Sequence, residues 1–246
     1  MDTRMKRFLV AVLMMSSVLG GCRSEAVRTP AHQSPPATSH PATATFDRLE
    51  ASGDPELFQV LLQQKSPDSI AATLDWVQPR AIAGGDPRYL YAYSYNLWRL
   101  RVRDSAFAMW LAAGLHAAVD ASKCRDPSAP GANIAPWERL MHPVAVSYEA
   151  ERPEDRRRYL ELAAMIEAKN KARGPNAWIC AGGMDYYLKY FERHPREEGA
   201  IVDDERYIGK VRRLPDDPDI KPEFTSGEEW ESARQAAVRK FMESRR

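Results

Sequence analysis

The chain contains no zinc-ligand spacing, no Gly-rich phosphate loop, no nucleophile elbow and no dinucleotide fingerprint. The motif-borne routes to metal, nucleotide and acyl-transfer chemistry therefore have no support in it. Charge of one sign is also missing: the formal net charge is +1, so there is no basic field to draw in nucleic acid. No apolar run reaches the roughly 20 residues that a membrane-spanning helix needs. Beyond the N-terminal segment no Gly/Ser/Pro linker marks off a second domain, and no alternating pattern of useful length marks a strand. Cysteine is scarce, with three residues in all.

What is present begins at the N-terminus. Arg4, Lys6 and Arg7 precede the apolar stretch Phe8–Val18, which is followed by the small-residue site Leu19-Gly20-Gly21-Cys22. A basic region, a short apolar core and a small-residue cleavage site make a secretory signal over residues 1–21. Leu19-Gly20-Gly21-Cys22 resembles the bacterial lipoprotein lipobox position by position. That resemblance implies a diacylglycerol on the Cys22 sulfur, cleavage before Cys22 and acylation of the new amino group. Each buried CH₂ of such chains contributes about 0.8 kcal/mol, so two or three chains anchor stably. Arg23, in place of the Asp that signals inner-membrane retention in the enteric version of the family, implies the outer membrane.

Residues 22–45 carry repeated Pro, Ser, Thr and Ala and almost no large apolar side chains, so they are expected to form a disordered tether. His32 and His40 fall within it as solvated spacers. Without residues 1–21 the formal charge becomes about −1. If Cys22 carries lipid, Cys124 and Cys180 are the only thiols left, and an even pair in an oxidising compartment predicts a disulfide between them.

Residues 46–246 read as a single helical domain. Asp54-Pro55, Ser66-Pro67 and Asp86-Pro87 each place a capping side chain before a proline suited to the first helical turn. Pro79 is expected to end the second of these helices. Leu90, Tyr93 and Leu97, then Ala106, Trp110 and Ala113, recur at helical spacing on either side of a short polar turn and predict an antiparallel hairpin. Residues 124–136 read as loop, Pro136 and Pro153 as helix starts, Gly174–Gly183 as loop, and Asp185–Arg193 as helix. Ser226 and Glu229 form a capping box for a last helix through Trp230 and Phe241. The fold class is all-α, an irregular bundle of helix hairpins.

Leu90, Tyr93, Ser94 and Leu97 in the first helix, with Ala106, Trp110 and Ala113 in the second, resemble the packing positions of a tetratricopeptide or Sel1-like repeat. No second copy occurs at a fixed period, so a solenoid is not implied. The hairpin followed by the turn Cys124-Arg125-Asp126-Pro127 also resembles uncharacterised exported lipoproteins, which imply no particular activity.

The hairpin and the segment near residue 186 hold more aromatics than one buried face accommodates. Tyr91, Tyr95, Trp98 and Tyr187 are therefore the expected binding residues, forming a groove for a protein or peptide. His116 with Asp120, and Glu138 with His142, stand four apart and could orient a histidine, but a surface pair or packing role fits the same spacing. No catalytic residue, metal or cofactor is expected. The reading is an outer-membrane-anchored periplasmic lipoprotein serving as a helical protein-binding or scaffold module. The alternatives are an immunity or inhibitor protein against a toxin enzyme and a cell-wall hydrolase.

Overall fold

The structure is a computed structural model that describes residues 41–203, 210–215, 217–225 and 227–245. Cys22, most of the expected tether and Ser226 lie outside them. The fold is all-α, with eleven helices among the described residues.

The chain enters through α1 (Pro41–Ser52), α2 (Glu56–Leu62) and α3 (Pro67–Ala83). Helix α1 starts inside the segment expected to be tether, because Phe46 and Leu49 on its second and third turns are buried against α2 and α3. The local start signals act as expected. Asp54 accepts from the Glu56 amide at 2.8 Å, and Ser66 accepts from the Ser69 amide at 3.1 Å. Helix α3 does not stop at Pro79. The proline lacks one backbone donor, but Trp76, Val77 and Ala81 hold the helix to the core around it, and Gly84 ends it in the left-handed conformation. A Cβ at Gly84 would fall 1.9 Å from the Asn170 side chain, so glycine is required there by space as well as by φ.

Helices α4 (Pro87–Arg99) and α5 (Arg103–Ala121) form the expected hairpin. Ser94 Oγ donates to Ala106 O across it at 2.7 Å, and Leu90, Tyr93, Leu97, Ala106, Trp110 and Ala113 are all buried. Helix α5 is the centre of the bundle and packs against α4, α7, α8, α9 and α11. It is buried on nearly every side, as a helix without a polar face must be.

Residues 124–136 prove to be largely helical: α6 (Ala129–Leu140) carries Pro136 within it, and α7 (His142–Glu149) begins with Pro143 in its first turn. Helix α8 (Pro153–Lys169) packs on α5, and the one-turn α9 (Ala177–Cys180) interrupts the loop expected there. Helix α10 (Met184–Arg193) precedes a two-stranded antiparallel ribbon, β1 (Ala200–Asp203) with β2 (Lys210–Arg213). Four-residue strands are too short for an alternating pattern to stand out in the sequence. The last helix, α11 (Gly227–Ser244), lies on α5.

The Cys124–Cys180 disulfide is formed, with Cα atoms 5.2 Å apart. It ties the end of α5 to α9 inside a small apolar cluster with Ala117 and Ile179, flanked by Ile134, Trp178 and Phe224. Asn133 Nδ2 donates to the carbonyls of Ile179 and Ala181, so α6 grips the same segment. No described helix is long and apolar enough to cross a membrane.

Candidate functional site

The aromatic residues separate into two groups. Tyr91 is 1% exposed and stacks on Trp137 with centroids 5.5 Å apart. It is a core residue, which corrects its expected place on a binding groove. The reason is that α4 is enclosed by α2, α3 and α5, with Trp137 of α6 over Tyr91, so residues on opposite sides of the helix are buried together. Tyr95 and Trp98 are half-buried and pack against the same core. Tyr187, 40% exposed, is the only one of the four that is open to solvent.

Tyr187 has exposed apolar neighbours on its own helix. On α10, Met184 is 60% exposed, Leu188 57% and Phe191 39%. With Tyr187 they occupy positions i, i+3, i+4 and i+7, a single apolar stripe on one helix face. Tyr190 alone on α10 is buried, and polar contacts tie the helix to the segment 215–223. Tyr186 Oη accepts from the Asp217 amide at 3.0 Å and donates to Pro215 O at 3.2 Å. Arg193 and His194 both reach Asp217 at 3.0 Å, and the His194 hydrogen bond, then the Asp219 amide and the Arg193 charge, hold its carboxyl below the usual range.

The start of α10 is equally fixed. Asp126 accepts from the Asp185 amide, Ser128 Oγ from the Met184 amide, and Asp126 lies so close to Gly183 that a Cβ would meet it at 2.0 Å. The turn after Cys124 thus caps the helix carrying the stripe, and the disulfide holds that turn next to α9. The stripe is an apolar patch on a firmly seated helix.

No family model, curated protein or solved structure matches the chain. The assignment of a site therefore rests on this geometry.

A second concentration of chemistry lies inside the bundle. His116, Asp120 and Glu167 are essentially without exposure, and Arg173 and Arg234 reach in to them. Arg173 Nη1 bonds Glu167 Oε2 at 2.8 Å, and its Nη2 bonds Asp120 Oδ1 at 3.0 Å. Arg234 Nη2 bonds Glu167 Oε1 at 3.2 Å, and Asn176 donates to Asp120 Oδ2. His116 and Asp120 share a helix face but not a hydrogen bond. The Nδ1 of His116 faces Ala112 O at 2.9 Å and Glu167 Oε2 at 3.3 Å, while its Nε2 is buried without a partner. Glu138 and His142 are both exposed, at the junction of α6 and α7.

Burial pushes Asp120 and Glu167 above their ordinary values despite their arginines, and pushes Lys123 down. Burial, helped by Arg173, lowers His116 to about 3. A neutral ring facing two acceptors through Nδ1 carries its proton there. Such a histidine is poorly suited to proton transfer near neutrality, and the cluster serves as an internal ionic tie between α5, α8, the 173–176 segment and α11. Among the described residues no group of three or more His, Cys, Asp or Glu is placed to hold a metal ion.

The depressed histidine has a measurable consequence. Between about pH 6.5 and 3 the unfolded chain takes up a proton that folded His116 refuses, so its contribution to stability is complete above pH 6.5 and declines as the pH falls. The raised carboxyls work the other way at the acid end, where the folded state protonates first. The difference in pH dependence between wild type and His116→Gln isolates the histidine. The expected ¹⁵N spectrum at pH 5 is that of a neutral Nδ1–H tautomer, and an imidazolium signal there would contradict it.

Proposed function

We propose that the protein is an exported, lipid-anchored helical module on the periplasmic side of the outer membrane that binds a protein or peptide partner through α10. The observation that carries this reading is the exposed stripe Met184, Tyr187, Leu188 and Phe191 on a helix capped by Asp126 and Ser128. An uncovered row of large apolar side chains costs solubility and is typical of interaction sites. Fixing the helix beforehand lowers the ordering cost of binding. The closed disulfide supports export, since such bonds persist in oxidising compartments, and it leaves Cys22 as the chain's one remaining thiol.

The test places a photo-crosslinking residue at position 187 of the full-length protein in intact envelopes, with one at exposed Glu161 on α8 as control. A discrete adduct is expected from 187 and not from 161. Leu188→Asp is expected to abolish it while changing stability by no more than about 0.5 kcal/mol, because the side chain is solvent-facing. Adduct yields unaffected by Leu188→Asp would remove the stripe as the site. Incorporation of labelled palmitate into wild type, lost in Cys22→Ala, tests the anchor separately.

A further inference from the structure

Helix α10 stands out from the bundle. No other described helix or strand packs broadly against it. It rests on the turn 126–128 and the segment 215–223. Successive helical residues turn by about 100°, so Met184, Tyr187, Leu188 and Phe191 share an arc about 100° wide. One flank of that arc is turned to the body: Tyr190 is buried, and Tyr186 bonds Pro215 and Asp217. The other flank, about 80–100° round from Met184, carries Asp185 and Glu192, both exposed. The apolar stripe is therefore closed on one side by its own protein and bordered on the open side by two acids.

The charges of α10 divide in the same way. Its basic residues turn inward, Lys189 to Glu223 and Arg193 to Asp217 and Asp219. Among the described residues neither Asp185 nor Glu192 joins an ion pair, although Glu192 borders the same recess as Lys221. Asp185 lies in the first turn, where an acid suits the helix dipole. Glu192 lies in the last turn, where the dipole opposes it, and no contact among the described residues accounts for its charge.

The size of the helix limits what can cover it. Ten residues make a helix about 15 Å long. A stable interface buries about 800 Å² on each partner, which four side chains on so short a helix do not supply face on. A partner has to close around the helix, as a groove does when it reads apolar anchors at i, i+3, i+4 and i+7. A second copy meeting it stripe to stripe in antiparallel fashion would bring the acidic flanks to the same side, where like charges repel.

We infer that the partner is a protein whose apolar groove takes in α10 as a helical ligand, with basic side chains along the rim that meets Asp185 and Glu192. The inference rests on the assignment of α10 as the binding helix and adds the shape and charge of what binds there. The stripe supplies the anchors, and the two acids set the orientation and reject grooves with an acidic rim.

The test uses the full-length protein in washed envelopes, with the photo-crosslinking residue at 187 as the probe. At low ionic strength the yield of protein adduct is expected to fall at least about threefold in Glu192→Lys and about tenfold in Asp185→Asn with Glu192→Lys. Near 1 M salt, where the Debye length is about 3 Å, these differences are expected to close. Glu161→Lys on α8 is expected to leave the yield unchanged, and a crosslinking residue at 192 to give the same adduct as 187. Circular dichroism verifies folding, and Glu192→Gln replaces any variant that does not fold. No adduct from wild type at 187 removes α10 as the binding helix and this inference with it. An adduct lost in Leu188→Asp but equal in wild type and the charge variants at low salt leaves α10 in place and overturns the basic-rimmed groove. An adduct of two copies of this chain, or one with lipid alone, assigns the stripe to self-association or to the bilayer and overturns it as well.

Discussion

Glu167→Ala is expected to lower the free energy of unfolding by about 3–5 kcal/mol, as removing one member of a buried ionic group does. The carboxylate takes one bond from Arg173 and one from Arg234 and lies within 3.3 Å of His116 Nδ1. Deleting it leaves two guanidinium groups in the interior with one acceptor fewer each. Glu167→Gln keeps the volume and one acceptor, so its loss is expected to be smaller. Guanidinium denaturation followed by circular dichroism measures both. Arg152→Ala, which removes an exposed surface pair with Asp155, is the control expected to leave the midpoint in place. Equal midpoints for Glu167→Ala and wild type would show that the interior tie contributes nothing net.

Removing the disulfide is expected to cost a similar amount. Cys124 and Cys180 are 56 residues apart, and closing a loop of that length restrains the unfolded chain by about 4 kcal/mol in the chain-entropy model. The loop encloses α6, α7, α8 and α9, so the loss is expected to be felt across half of the bundle rather than at one turn. The double variant Cys124→Ala with Cys180→Ala is the cleaner comparison, because a single variant would leave the other cysteine as an unpaired thiol. Its denaturation midpoint should fall well below that of oxidised wild type and close to that of protein held in reductant. A midpoint unchanged by either treatment would refute the expectation.

The parts of this fold that could be read from sequence are those fixed by local chemistry. Asp54, Ser66 and Asp86 cap helices because a short polar side chain just before the first turn reaches an amide there that has no carbonyl partner within the helix. The hairpin of α4 and α5 was legible from spacing, and the disulfide from an even count of thiols. Tyr91 was misplaced because periodicity reveals a buried face only when the other face is wet, and α4 is enclosed on several sides. Glu167 gave no signal at all, since a lone acid on a charged helix acquires its meaning from Arg173 and Arg234, which arrive later in the chain. The α10 stripe is visible as a pattern, but a pattern cannot say whether another element covers it. The ring marks Tyr187 in the sequence, and only the structure shows that Met184, Leu188 and Phe191 share its exposure.

The ionic tie also governs how the molecule comes apart. In stacked repeat proteins each unit touches only its neighbours, and such arrays can lose structure one unit at a time. Here α5 carries Asp120, whose arginine lies 53 residues further on, and Glu167 draws on Arg234 a further 67 residues away. The α4–α5 hairpin is local and can assemble early, but without the later half it holds a carboxylate and a histidine in its interior with nothing to answer them. Neither half is therefore a smaller version of the whole. Melting is expected to be all-or-none, with helix content and tryptophan environment changing together, because the apolar core between Phe46 and Ala163 is tied to the later segments through Arg173 and Arg234.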